Sequence, residues 1–221
     1  MTTFSTAKRL AKETLLGFAA LILVWSLAWL GKSTLDTRWE WIASGAGSAV
    51  FWLSAKLLIW IVPACWWVRR SGRAFGAVVN LAGWRRWSLW GGGVGLAIAL
   101  TAVIPKSLRG ALLLPTTFDA GTINVLLISP LCEEFLIRGA VLGNLIPAWG
   151  FARANVISAA CFAMLHLPGW YMMGSIEANL TRPVGGAFSI FLLGLCFGWA
   201  TRKGGSFLAG SVAHFLNNLF A

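Results

Sequence analysis

Residues 122–146 read TINVLLISPLCEEFLIRGAVLGNLI, an apolar run with three charged side chains near its centre, which are Glu133, Glu134 and Arg138. The run exceeds the roughly 20 residues that a helix needs to cross the hydrocarbon core of a bilayer. An ionisable group inside a membrane is costly, so its presence there marks a functional site by default. The segment therefore predicts a membrane-spanning helix with a polar site inside it.

The composition of the rest of the chain supports a membrane protein. Of the 221 residues, 58% are hydrophobic and 11% are charged, whereas soluble domains carry about 25% charged residues. We expect an all-α, polytopic membrane helix bundle that forms one integral-membrane domain over residues 1–221, with a motif-bearing core at 122–221. The sequence predicts about seven transmembrane helices, at residues 14–30, 48–68, 91–104, 122–146, 151–167, 184–201 and 206–221.

The basic residues predict the orientation of these helices. Outside the predicted spans, eleven Lys and Arg side chains lie on the side of the membrane that holds the N-terminal segment, and five lie on the other side. The richer side is expected to be cytoplasmic, so the N-terminus is placed in the cytoplasm, and we expect a bacterial inner (plasma) membrane. The first apolar run resembles a signal peptide, but no small-residue cleavage site follows it, which favours a retained helix.

Residues 69–90 form a basic and aromatic segment between two predicted spans. The segment carries five Arg, three Trp and no acidic residue. Such a composition is typical of an amphipathic stretch in the cytoplasmic interface that contacts anionic lipids, and lipid anchoring is favoured over substrate docking. The net charge is +11, but the basic residues do not form a patch on a soluble fold, so nucleic-acid binding is not expected. Lys56, inside the second span, is expected to snorkel toward the interface.

The two adjacent glutamates are expected to differ in role. Arg138 follows Glu134 by four residues, so the two side chains lie on one helix face and can pair. Glu133 is rotated by about 100° from Glu134. A purely structural Glu–Arg pair accounts for Glu134 and Arg138, but it leaves the negative charge of Glu133 without a partner. Glu133 is therefore a candidate general base. Pro130 is expected to kink the helix or begin a new helical section.

Both histidines of the chain lie in apolar segments. His166, just before Pro168, is either a packing residue or, together with a glutamate, a group that activates water. His214 and Asn218 are four residues apart and share a helix face. They can donate hydrogen bonds to a developing oxyanion, although His and Asn also join helices in membranes by hydrogen bonding.

Three spaced motifs carry a family resemblance. They are EExxxR from Glu133 to Arg138, FxxxH from Phe162 to His166, and HxxxN from His214 to Asn218. In order and spacing they resemble the CPBP family of intramembrane proteases, which includes CAAX-processing endopeptidases and bacteriocin-processing and immunity homologues. The resemblance covers about residues 122–221, and the N-terminal half shows no matching motif.

The resemblance implies a multi-helix membrane core with a water-filled cavity and a role for each motif residue. Glu133 and His166 would activate the water, and His214 and Asn218 would bind the oxyanion. The site-supporting residues would be Glu134, Arg138 and Phe162. The expected substrate is a membrane-associated protein or peptide, cleaved near the membrane in a C-terminal tail or a leader.

Three alternatives to a metal-free endopeptidase stay open at this stage. The first is a non-catalytic immunity or scaffold protein of the same fold, and the second is a transporter or proton relay. The third is a zinc site formed by Glu133, His166 and His214. No cofactor is expected, because no HExxH motif is present, Arg138 would oppose a dication, and Asn218 would have no role as a zinc ligand.

Overall fold

The computed structural model of the protein describes residues 4–221. Within that range the regular elements are helices and no strand occurs, which confirms the all-α prediction. The α-helices are α1 (Phe4–Asp36), α2 (Glu40–Ala43), α3 (Gly45–Lys56), α4 (Val62–Arg70), α5 (Phe75–Val79), α6 (Trp84–Leu108), α7 (Ala120–Ile123), α8 (Ser129–Glu134), α9 (Gly143–Met164), α10 (Leu167–Met172), α11 (Ile176–Thr181), α12 (Ala187–Gly204) and α13 (Phe207–Phe220). Between them lie the π-helical segments π1 (Leu57–Ile61), π2 (Asn124–Ile128) and π3 (Phe135–Leu142), and a 3₁₀ turn (Leu81–Gly83).

Three helical stretches of the described chain are long and apolar enough to cross a membrane: Ser5–Asp36, Gly45–Arg70 and Phe75–Leu108. They contain the first three predicted spans. The other four predicted spans are also largely helical but are not among these stretches, and the last of them contains the 14-residue helix α13. The membrane helix bundle is thus confirmed, and the count of seven stays a prediction.

Small residues let helices α6 and α13 approach closely. Helix α6 packs against α13 with Gly91 and Gly95 at the contact. A Cβ atom added to Gly91 would lie 2.6 Å from the carbonyl oxygen of Ala209, and one added to Gly95 would lie 2.9 Å from the Cα of Ala213. Close approach through small residues is the common way in which membrane helices gain packing contacts.

Four tryptophans join the helices of the N-terminal half to one another. Trp25 of α1 contacts Trp60 of π1, with ring centroids 4.5 Å apart, and Trp29 contacts Trp52 of α3 at 4.4 Å. The indole N–H of Trp25 also donates to the carbonyl oxygen of Leu165, at 3.1 Å. This cluster therefore attaches the N-terminal half to the end of α9, where the FxxxH motif lies.

The helix that carries the glutamate pair changes its hydrogen-bonding pattern twice. The π2 segment precedes α8, Pro130 lies in the first turn of α8, and π3 begins directly after Glu134. Single π-helical turns occur frequently at functional sites. Further along, Gly150 has a φ of 71° inside α9 and separates two helical parts there. This break falls between the fourth and fifth predicted spans.

The basic segment at residues 69–90 departs in part from the sequence prediction. It contains the end of α4, a loop, α5 and the start of α6, and is not one continuous helix. Arg73 points inward and donates to the carbonyl oxygen of Gly139 at 2.8 Å and to Asn144 Oδ1 at 2.7 Å. Burial lowers the pKa of Arg73 to about 10, so it stays charged at neutral pH. The lipid-facing role expected for the segment does not extend to this residue.

Candidate active site

Glu134 is the centre of a buried polar cluster. Its side chain is fully buried, and Oε1 lies 3.2 Å from His214 Nδ1 while Oε2 lies 3.2 Å from Arg138 Nε in an ion pair. Arg138 Nη2 donates to the carbonyl oxygen of Gly194 at 3.0 Å. A Cβ atom added to Gly210 would lie 2.8 Å from Glu134 Oε2, so a glycine leaves room for the carboxylate. The cluster joins α8, π3, α12 and α13 through one carboxylate.

Aromatic rings surround this cluster. The guanidinium of Arg138 lies over the ring of Phe162, 4.9 Å from its centroid. The ring of Phe162 makes edge contacts with His214 at 5.5 Å and with His166 at 5.3 Å. Phe197 stacks on His214 with centroids 4.8 Å apart. Phe162 thus contacts both histidines, and Phe197 is a contact residue that the sequence motifs did not indicate.

Glu133 has a different environment from Glu134. It is 8% exposed, and its Oε2 has no hydrogen-bond partner among residues 4–221. Glu133 lines a cavity of about 240 Å³, and His166 lines the same cavity. The structure therefore places the two residues that the sequence predicts to activate water on the wall of one cavity.

The hydrogen bonds of the two histidines indicate which ring nitrogen carries a proton. His166 Nδ1 lies 3.1 Å from the carbonyl oxygen of Phe162. A carbonyl only accepts, so Nδ1 is the donor, and Nε2 of the neutral ring is a proton acceptor. His214 Nδ1 likewise faces the carboxylate of Glu134. A ring that donates from Nδ1 to Glu134 can also donate from Nε2 to an oxyanion only when it carries both protons.

Asn218 satisfies a backbone group that Pro130 leaves unpaired. In π2 each carbonyl oxygen accepts from the N–H five residues later, as the Asn124 carbonyl oxygen does from the Ser129 N–H. The next carbonyl oxygen, that of Val125, would need the N–H of residue 130. Residue 130 is a proline and has no N–H. The amide of Asn218 donates to the Val125 carbonyl oxygen at 3.0 Å instead. Neither His214 nor Asn218 is among the described residues that line the cavity of Glu133. One N–H of the Asn218 amide is left for another acceptor.

Lys56 is a cavity residue that the sequence interpretation missed. It is 5% exposed, and its ammonium donates to Asn124 Oδ1 at 2.9 Å and to the hydroxyl of Ser129. The expected snorkelling toward the interface stays a prediction, and the ammonium ends on polar side chains of π2 and α8. Its partners are 68 and 73 residues away in sequence. No pattern on its own helix could indicate them.

The remaining wall of the cavity is aromatic and comes largely from the N-terminal half. Trp25, Trp29, Trp52 and Trp60 line it, together with Trp170 of α10. The N-terminal half carries no recognisable motif, yet it supplies most of the apolar surface that faces Glu133 and His166. The cavity therefore combines an apolar wall with a small number of polar groups, as ligand sites usually do.

The residues proposed above for a zinc site do not form a compact ligand set. Across residues 4–221, no three His, Cys, Asp or Glu side chains are grouped as a metal site requires. His214 Nδ1 contacts Glu134, whereas Glu133 and His166 face the cavity. The arrangement does not fit the three-ligand geometry of a catalytic zinc site.

Fold and site together define a polytopic all-helical membrane protein with a buried glutamate pair, one member bound to Arg and His and the other facing a cavity. Residues 115–220 match the family model described as Type II CAAX prenyl endopeptidase Rce1-like. All three motifs lie inside the matched region, which confirms the predicted resemblance. No curated protein and no solved structure matches the chain.

Proposed function

We propose that this protein is a metal-free, glutamic-type intramembrane endopeptidase in which Glu133 and His166 activate a water molecule. The observation that carries the proposal is the shared cavity, which both Glu133 and His166 line. A general base must be able to reach the water. Glu133 lines the cavity, whereas the two oxygens of Glu134 lie against Arg138 and His214. A non-catalytic scaffold has no need of an unpaired glutamate beside a histidine.

The proposed reaction is a single water attack. Glu133 takes a proton from water, and the hydroxide oxygen bonds to the carbonyl carbon of the scissile peptide. The C–N bond of the tetrahedral intermediate then breaks. The proton that Glu133 took from water passes to the leaving nitrogen by way of His166 Nε2. We assign the oxyanion to doubly protonated His214 and to the second N–H of Asn218, and Glu134 holds His214 in place.

The aromatic wall supports a lipid-bearing substrate. Five tryptophans offer the apolar surface that an isoprenoid or acyl chain prefers over water. The name of the matched family refers to prenyl endopeptidases, which agrees with this surface. We propose that the substrate is the C-terminal tail of a membrane-associated protein, with the cleaved bond close to a lipidated residue.

The experiment uses the purified protein in proteoliposomes and two internally quenched tail peptides of one sequence, one farnesylated and one not. We expect the farnesylated peptide to be cleaved at one bond beside the lipidated residue, as located by mass spectrometry. His166→Gln should reduce the turnover by about 10²–10⁴-fold, the usual contribution of a positioned acid or base. Cleavage at scattered bonds, or full activity of His166→Gln, would contradict the proposal.

A further inference from the structure

Lys56 occupies an unusual place for a lysine in an apolar helix. It ends α3, directly before π1, and is buried at the cavity that Glu133 lines. An ammonium has three N–H donors, and among the described residues two of them reach Asn124 and Ser129. Its ammonium also lies 5.8 Å from the ring centroid of Trp60. These contacts hold the charge at a fixed position beside the cavity.

The charges around the glutamate pair balance only when Lys56 is included. Arg138 is in ion-pair contact with Glu134, so it is already committed. Glu133 has one oxygen without a hydrogen-bond partner in the described part of the chain, and it lines the same cavity as Lys56. A buried charge is stable only with an opposite charge or adequate hydrogen bonds nearby. Two carboxylates therefore face two cations, and Lys56 is the second cation.

We infer that Lys56 is the positioning residue for Glu133: its ammonium balances the charge of the catalytic carboxylate across the cavity and fixes π2 and α8 beside it. This inference rests on the proposed function of Glu133. It also gives the N-terminal half a chemical role, because the family match begins at residue 115 and does not include Lys56. The C-terminal half holds the three motifs, and α3 supplies the counter-charge.

The first test compares two substitutions at this position. Lys56→Met keeps the length of the side chain without the charge, and Lys56→Arg keeps the charge. We expect Lys56→Met to lower kcat by about 10- to 100-fold, a part of what general-base catalysis contributes, with little change in KM. Lys56→Arg should retain most of the turnover. The control is Lys32→Met, because Lys32 is also buried but pairs with Asp36 away from the cavity, and it should turn over as wild type.

The second test does not depend on peptidase activity. Melting temperatures of Lys56→Met, Glu133→Gln and the double variant form a double-mutant cycle, which isolates the interaction between the two side chains. We expect the double variant to melt no lower than the more damaging single variant, because removing both charges leaves neither one buried alone.

The outcomes separate this inference from the proposed function. Additive losses in melting temperature would overturn the pairing of Lys56 with Glu133, even if the enzyme is active. Wild-type turnover in Lys56→Met, or equal loss in Lys56→Met and Lys56→Arg, would overturn the positioning role. If the wild-type protein cleaved neither peptide, the proposed function would fail, and the melting cycle would still decide whether the two charges are coupled.

Discussion

Replacing Glu134 by Gln tests the division of roles between the two glutamates. Glu134 is fully buried and contacts both Arg138 Nε and His214 Nδ1, each at 3.2 Å. Removing one partner of a buried ion pair usually costs about 3–5 kcal/mol, because the other charge stays buried and unpaired. For a chain of this length, 1 kcal/mol corresponds to a shift in melting temperature of about 2–4 °C. We therefore expect Glu134→Gln to melt about 6–20 °C below the wild type.

Glu133→Gln is the matched control, because it makes the same change at the neighbouring position. Among the described residues Glu133 makes no ion pair like those of Glu134 with Arg138 and His214, so this variant should lose less stability than Glu134→Gln. Thermal unfolding of both variants in one detergent, followed by intrinsic tryptophan fluorescence, measures the difference. The double variant Glu134→Gln with Arg138→Met should recover part of the loss, because it also removes the orphaned cation. Equal melting temperatures for the two single variants would refute the reasoning.

Three further predictions concern the oxyanion donors, the metal and the topology. Asn218→Ala should reduce kcat by about 10²–10³-fold with little change in KM, as the loss of an oxyanion donor does, while Asn217→Ala should matter far less. Equal, mild effects would favour a packing role for both asparagines. Treatment with a strong chelator should leave turnover unchanged, and activity restored only by stoichiometric zinc would contradict the metal-free site. A reporter fused after Ala221 should be active outside the cytoplasm, because the distribution of basic residues predicts a cytoplasmic N-terminus, and cytoplasmic activity alone would contradict that orientation.

Part of the site follows directly from the sequence. The four-residue spacing of Glu134 and Arg138 predicts their ion pair, and the 100° rotation of an α-helix predicts that Glu133 faces elsewhere. The structure shows both features. These predictions succeed because they involve one helix, where the geometry between neighbouring residues is fixed.

The other part depends on contacts between distant segments. Lys56 meets Asn124 and Ser129, and the tryptophans of the cavity come from several separate elements. Periodicity along one helix carries no information about such partners. The bond from Asn218 to Val125 is an intermediate case, because Pro130 signals that a nearby carbonyl lacks its helical donor, but the sequence does not say which side chain replaces that donor.

The most direct test of the central claim is the turnover of Glu133→Gln on the farnesylated peptide, measured on protein that keeps a cooperative thermal unfolding transition. The account predicts a loss of at least about 10²-fold in kcat, because the general base is removed while the fold is kept. Wild-type turnover in this folded variant would show that Glu133 is not the base and would contradict the account.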